Sequence, residues 1–148
     1  MDKIGKGIVA GFLATFALSF LLDPMAMVAR TAGVLSPTLG WTLHFLIGSV
    51  IWGAGFALVH DLLRGPSWLR GIVFGVVSWI VVVVAILPLT RWGLLGINFG
   101  LGASVAMLLV HMIYGTVLGG IYGALAVPSE NEPRRRTHSR HELHPLPR

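Results

Sequence analysis

The stretch Leu69-Arg70-Gly71-Ile72-Val73-Phe74-Gly75-Val76-Val77-Ser78-Trp79-Ile80-Val81-Val82-Val83-Val84-Ala85-Ile86-Leu87-Pro88-Leu89 carries no charge after Arg70, and the next charge along the chain is Arg91. A membrane-crossing helix needs about 20 mostly apolar residues. A run of this length without period-two alternation is a helix and not a strand. Working outward, three more stretches meet the same test. They run from about Ile4 to Leu22, from about Gly40 to Val59 and from about Met107 to Val127. Asp23-Pro24, His60-Asp61 and Pro128 close them.

The composition agrees. The chain has 148 residues, of which 55% are hydrophobic and 11% charged, against about 25% charged in a soluble domain. Of eleven Lys and Arg residues, five fall in the last fifteen positions. Residues 1–127 keep six basic and three acidic side chains. That is too few to cover a water-soluble domain, and it excludes a nucleic-acid-binding domain with a basic face. The absence of cysteine excludes disulfides, zinc–thiolate sites, iron–sulfur clusters and thiol nucleophiles.

The charges set an orientation. Lys3 and Lys6 lie at the first span, Arg64 and Arg70 between the second and third, and Arg134, Arg135, Arg136, Arg140 and Arg148 beyond the fourth. The other two connections hold Arg30 and Arg91. By the positive-inside rule both termini and the 2–3 loop are cytoplasmic. The first span has the basic start of a signal peptide. Met27 stands where a small residue is wanted before a cleavage after Ala29, so the span is expected to be retained.

The chain reads as a duplicated hairpin. Lys6-Gly7-Ile8-Val9-Ala10-Gly11 matches Arg70-Gly71-Ile72-Val73-Phe74-Gly75 at an offset of 64, which also carries Pro24 onto Pro88. His44-Phe45-Leu46-Ile47-Gly48-Ser49-Val50 matches His111-Met112-Ile113-Tyr114-Gly115-Thr116-Val117 at 67, and Gly53 then falls on Gly120. The expected fold is an all-α bundle of four transmembrane helices over residues 1–127. Its two hairpins are parallel repeats about a pseudo-two-fold axis along the membrane normal. Small residues allow close backbone approach where lipid removes the hydrophobic drive between helices. Gly7, Gly11, Gly48, Gly71, Gly75, Gly115, Gly119 and Gly123 are therefore the expected packing positions. Pro24 and Pro88 are expected to kink or hinge the outer ends of spans one and three.

Between the spans, residues 92–106 read as a short interfacial segment, and 23–39 as a helix extension or surface helix. Trp41, Trp68 and Trp92 fall at membrane edges, where indole rings prefer to sit. Trp52 and Trp79 lie mid-span and need partners. Residues 128–148 are rich in Pro, Arg, Glu, Ser and His, which reads as a disordered basic tail. Arg134, Arg135 and Arg136 there are placed to attract anionic lipid.

Polar residues inside a membrane are functional candidates by default. His44 and His111 fall at equivalent places in the repeat, each one turn before a glycine. With Asp23 and Tyr122 they define a candidate outward-facing pocket for a proton, a metal or a small ligand, and a metal or haem between the histidines is conceivable chemistry. The competing reading is that each ring bonds a neighbouring helix and fixes packing. Two histidines are a thin metal site, so no cofactor is expected. His60-Asp61 reads as an interfacial cap. No nucleophile–base pair, phosphate loop or dinucleotide fingerprint is present, which argues against an enzyme.

Gly7-x3-Gly11, His44-Phe45-Leu46-Ile47-Gly48, Pro88 and His111-x2-Tyr114-Gly115-x3-Gly119-x2-Tyr122-Gly123 together resemble a family of small bacterial four-helix membrane proteins labelled only as a domain of unknown function. The resemblance covers roughly residues 3–126. It implies residence in a bacterial cytoplasmic membrane and brings no activity with it. The expected role is a non-enzymatic structural, assembly or accessory membrane component, self-associating or part of a larger complex. The alternative is a binding or permeation protein using the histidine pocket.

Overall fold

The computed structural model describes residues 1–20, 37–89 and 92–126, and these form helices without a strand. Helix α1 is Lys3–Ser19, and the Asp2 carboxylate caps it by accepting from the Gly5 N–H at 2.9 Å. Helix α2 begins as Pro37–Leu46, with proline at the first helical position, where its missing N–H costs nothing. It widens to a π-helical stretch at Ile47–Gly53, returns to α at Ala54–Val59, and ends in the 3₁₀ turn His60–Leu62. Helix α3 is Ser67–Val81, followed by a π stretch Val82–Ile86 and a 3₁₀ turn Leu87–Leu89 that contains Pro88. Helix α4 is Leu101–Ala126. Three helices, Thr38–Leu62, Ser67–Leu89 and Leu101–Ala126, are long and apolar enough to cross a membrane, whereas α1 has 17 residues.

The interior is built from small residues and the outside from large ones. On α1, Gly7, Ala10, Gly11 and Ala14 face inward while Phe12, Phe16 and Phe20 are exposed. Backbones therefore meet. A Cβ on Gly7 would collide with the Gly53 carbonyl, and one on Gly53 with the Gly7 carbonyl. A Cβ on Gly11 would meet both Gly48 and Gly53. Those two glycines are five residues apart and would splay on an α-helix. The i→i+5 bonding of a π stretch widens the turn and brings them onto one face. In the second hairpin Gly71 and Gly115 block each other reciprocally, Gly75 meets the His111 carbonyl, and Gly119 and Gly123 meet Ser67. Gly48 is filled by the Thr15 side chain.

The two hairpins use this device in different registers. Gly53, which meets Gly7, aligns in sequence with Gly120, yet a Cβ on Gly120 meets nothing within 4 Å. Gly71, the counterpart of Gly7, meets Gly115 instead. One cluster of buried side chains joins the hairpins at Ala10, Ala14, Phe56, Ala57, Phe74, Leu118 and Tyr122. A second holds Val83, Leu87, Trp92 and Met107.

Several boundaries differ from the sequence expectation. The fourth helix starts at Leu101 and not near Met107, because positive-φ glycines at 93, 96 and 100 confine the irregular backbone to the residues before it. Within the segment expected to be interfacial, Leu94–Phe99 forms a short kinked 3₁₀ element. Trp92, read as an edge residue, is buried against Val83, Leu87 and Met107. The mid-span tryptophans have partners. Trp52 meets Phe74 edge-on at 6.1 Å, and Trp79 donates from Nε1 to the Ser104 carbonyl at 3.1 Å. Pro24 and the tail lie outside the described residues.

Gly71→Ala sets a methyl against the Gly115 backbone. It is expected to cost about 1–3 kcal/mol through overpacking, despite the roughly 1 kcal/mol that alanine gains over glycine inside a helix. Gly120→Ala keeps only the gain. Thermal unfolding in mild detergent should show a lower midpoint for the first and an unchanged or higher one for the second. Equal midpoints would contradict the close-contact assignment.

Candidate functional site: a polar clasp at one end of the bundle

The densest polar cluster lies where α2 turns into α3. His60 is 9% exposed. Its Nδ1 is 2.9 Å from Asp61 Oδ1, and its Nε2 is 2.9 Å from Ser67 Oγ. An imidazole that donates from Nδ1 to a carboxylate leaves Nε2 to accept the serine proton. Lys3 Nζ, from the start of α1, donates to Asp61 Oδ2 at 2.7 Å. Arg70 Nε donates to the Gly65 carbonyl at 2.7 Å, and its Nη1 donates to the His60 carbonyl at 3.2 Å. The imidazole also rests on Tyr122 of α4, at 4.7 Å between ring centroids, and edge-on to Phe56 at 5.4 Å. His60 thus gathers contacts from α2, α3 and α4, and Asp61 beside it adds the start of α1. The short turn makes this possible: Gly65 takes a φ of 101° that favours glycine, and Pro66 then starts α3 with Ser67 one turn from Arg70.

The order Ser67–His60–Asp61 is that of an acyl-transfer triad. Its surroundings also tie the ends of the helices together. The Ser67 Cβ and Oγ lie against Gly123, where an added Cβ would meet them. Arg70 Nη1 lies within 3.4 Å of both ring nitrogens. Asp61 is exposed and shared with Lys3, unlike the buried carboxylate that orients a catalytic histidine.

The sequence candidates are distributed differently from the expected pocket. His44 Nε2 is 3.3 Å from Ser19 Oγ of α1, and the ring is edge-on to Trp41. His111 Nδ1 donates to the Met107 carbonyl at 2.8 Å, one turn back on its own helix. Tyr122 sits with His60 and Phe56, about 16 Å along α4 from His111 at 1.5 Å per residue, and not beside the histidines. Asp23 lies outside the described residues. Among the described residues no group of three or more His, Asp or Glu is placed to hold a metal ion. Sequence reasoning noted His60-Asp61 as a cap and missed Ser67 and Arg70, whose roles depend on the turn folding back. It named Tyr114 in the repeat without giving it a partner; its hydroxyl donates to the Gly48 carbonyl at 2.6 Å and ties α4 to the π stretch of α2.

A glycine-interlocked helical bundle with a largely apolar exterior and three helices long enough to span a bilayer belongs to the class of helical proteins suited to a membrane. The chain is a member of DUF6789, a family of unknown function, which it matches over residues 1–132. No curated protein and no solved structure matches it.

His60→Ala removes the hub of the clasp and leaves the Ser67 hydroxyl without its acceptor. It is expected to lower stability by about 2–3 kcal/mol. Lys3→Ala touches only an exposed ion pair and should have a much smaller effect. Chemical denaturation in mild detergent compares the two, and a larger loss for Lys3→Ala would show that His60 is not the hub.

Proposed function

We propose that this chain is a four-span protein of the bacterial cytoplasmic membrane, with both termini cytoplasmic, that acts as a non-enzymatic structural or assembly component. The observation that carries the reading is the inside-out arrangement of side-chain size. Interior volume goes to backbone contacts at glycine, while Phe12, Phe16, Leu58, Val77, Val84 and Leu109 are turned outward. Such a body offers a large apolar exterior for lipid or for neighbouring helices. With 17 residues, α1 is about 26 Å long and at the lower limit for a span. Lys3, Lys6, Arg64 and Arg70 support a cytoplasmic placement of the clasp end, and anionic lipid would gather there and at Arg134, Arg135 and Arg136. The alternative, ligand, proton or metal binding at His44 and His111, is less well supported, because each ring already has a polar contact at Ser19 or Met107.

The cysteine-free sequence allows a direct test. Single cysteines at Lys6, Arg64 and Leu94 should separate by side. Membrane-impermeant maleimide should label only the Leu94→Cys variant in intact cells, and the other two after permeabilisation. Labelling of all three from outside would overturn the topology. For the role, protein crosslinked in its native membrane should run as a defined assembly, and His44→Ala or His111→Ala should alter only its stability or assembly. A strictly monomeric, partner-free species would count against it.

A further inference from the structure

No nucleophile–base motif runs along the sequence, yet the turn between α2 and α3 assembles such a pair. Ser67 Oγ and His60 Nε2 are 2.9 Å apart, and His60 Nδ1 is 2.9 Å from Asp61 Oδ1. A nucleophile within hydrogen-bond reach of a base, with the base held by a third group, is the arrangement that activates a serine. The imidazole is packed in that pose by Phe56 and Tyr122, at 5.4 and 4.7 Å between ring centroids. It is buried, whereas Ser67 is half-buried. Ser67 is also the first residue of α3. The Leu69 and Arg70 amides already donate to the Pro66 carbonyl, at 3.0 and 3.1 Å. The Ser67 and Trp68 amides stand ahead of that first bonded turn, where helix N–H groups have no intrahelical acceptor. Amides so placed beside a nucleophile stabilise the charge on an attacked oxygen. Leu62, which ends α2, and Trp68, next to Ser67, are large exposed apolar side chains, a surface suited to the chain of an amphiphile.

We propose that Ser67 is an acyl-acceptor site, which takes one apolar acyl group from an ester or thioester at the membrane surface and retains it. In this step Ser67 Oγ attacks the carbonyl carbon, and its proton passes to His60 Nε2. The tetrahedral intermediate then collapses. The new bond from Oγ to carbon remains, and the bond from that carbon to the alcohol or thiol breaks. The leaving group departs with its electron pair and takes the proton from His60 Nε2. The products are a Ser67 ester and a free alcohol or thiol. Asp61 is exposed and shared with Lys3, so it orients the imidazole less firmly than the buried carboxylate of an acyl-transfer enzyme. That loose hold favours a single slow acylation over repeated turnover. The modification adds to the structural role and does not depend on which side of the membrane the clasp faces.

The full chain in lipid nanodiscs tests this. A fluorophosphonate, which bonds an activated serine through phosphorus and releases fluoride, should label the wild type at one site. Peptide mass mapping should place the adduct on Ser67, with the other serines of the chain as internal controls. No label, or label spread over the other serines, overturns the proposal. Ser67→Ala should lose the adduct, and His60→Gln should slow its formation by about 100-fold or more. A His60 variant also loosens the clasp, so a second reading uses the wild type alone. p-Nitrophenyl decanoate should release a single equivalent of nitrophenol, add a decanoyl mass to Ser67 and block later fluorophosphonate labelling. Release that continues beyond one equivalent would make the site hydrolytic and overturn retention of the acyl group. Faster reaction with p-nitrophenyl acetate than with the decanoate would overturn the apolar acyl chain.

Discussion

Contact between backbones at glycine is the constraint on which the rest of this structure depends. Where Gly7 meets Gly53 and Gly71 meets Gly115, the helices approach more closely than any side chain permits. In an apolar medium such contact replaces the hydrophobic drive that holds soluble helices together, because dispersion falls steeply with separation. Once the small residues are spent on the interior, the large ones have only the exterior left. The exposed Phe12, Phe16 and Phe20 and the buried Ala10 and Ala14 are two consequences of one rule. The π stretch in α2 follows as well. Two glycines five residues apart face a single helix only if the turn between them is wider than an α turn.

So tightly joined a bundle leaves few places for polar groups, and the chain distributes them with economy. At one end His60 collects Asp61, Ser67 and Tyr122, with Lys3 and Arg70 completing the set. This ties the start of α1 to the α2–α3 turn and to α4. Deeper in the bundle the described polar contacts are between neutral groups, as where the Tyr114 hydroxyl donates to the Gly48 carbonyl. The change from ionic groups at the rim to neutral ones inside follows the cost of burying charge. The histidines that stood out in the sequence lie within this pattern as single polar contacts, His44 to Ser19 and His111 to Met107.

By itself the sequence determined the helical class, three of the long apolar segments to within a few residues at most ends, and the small-residue character of the helix contacts. Those properties follow from local composition: a run without charge must be helical in lipid, and glycine at spacings of four marks a face. It also marked His60-Asp61 as a helix end. What only the tertiary structure decided is which glycine meets which. Gly53 and Gly120 occupy matching places in the two halves, yet one is jammed against Gly7 and the other is open. Register is a property of two helices together, and a one-turn slide changes no local preference. The clasp was hidden for the same reason. Ser67 and Arg70 become partners of His60 only when the turn at Gly65-Pro66 brings the start of α3 back onto the end of α2. Tyr122 likewise left the expected company of His111 because eleven residues of straight helix separate depths that a helical wheel superimposes.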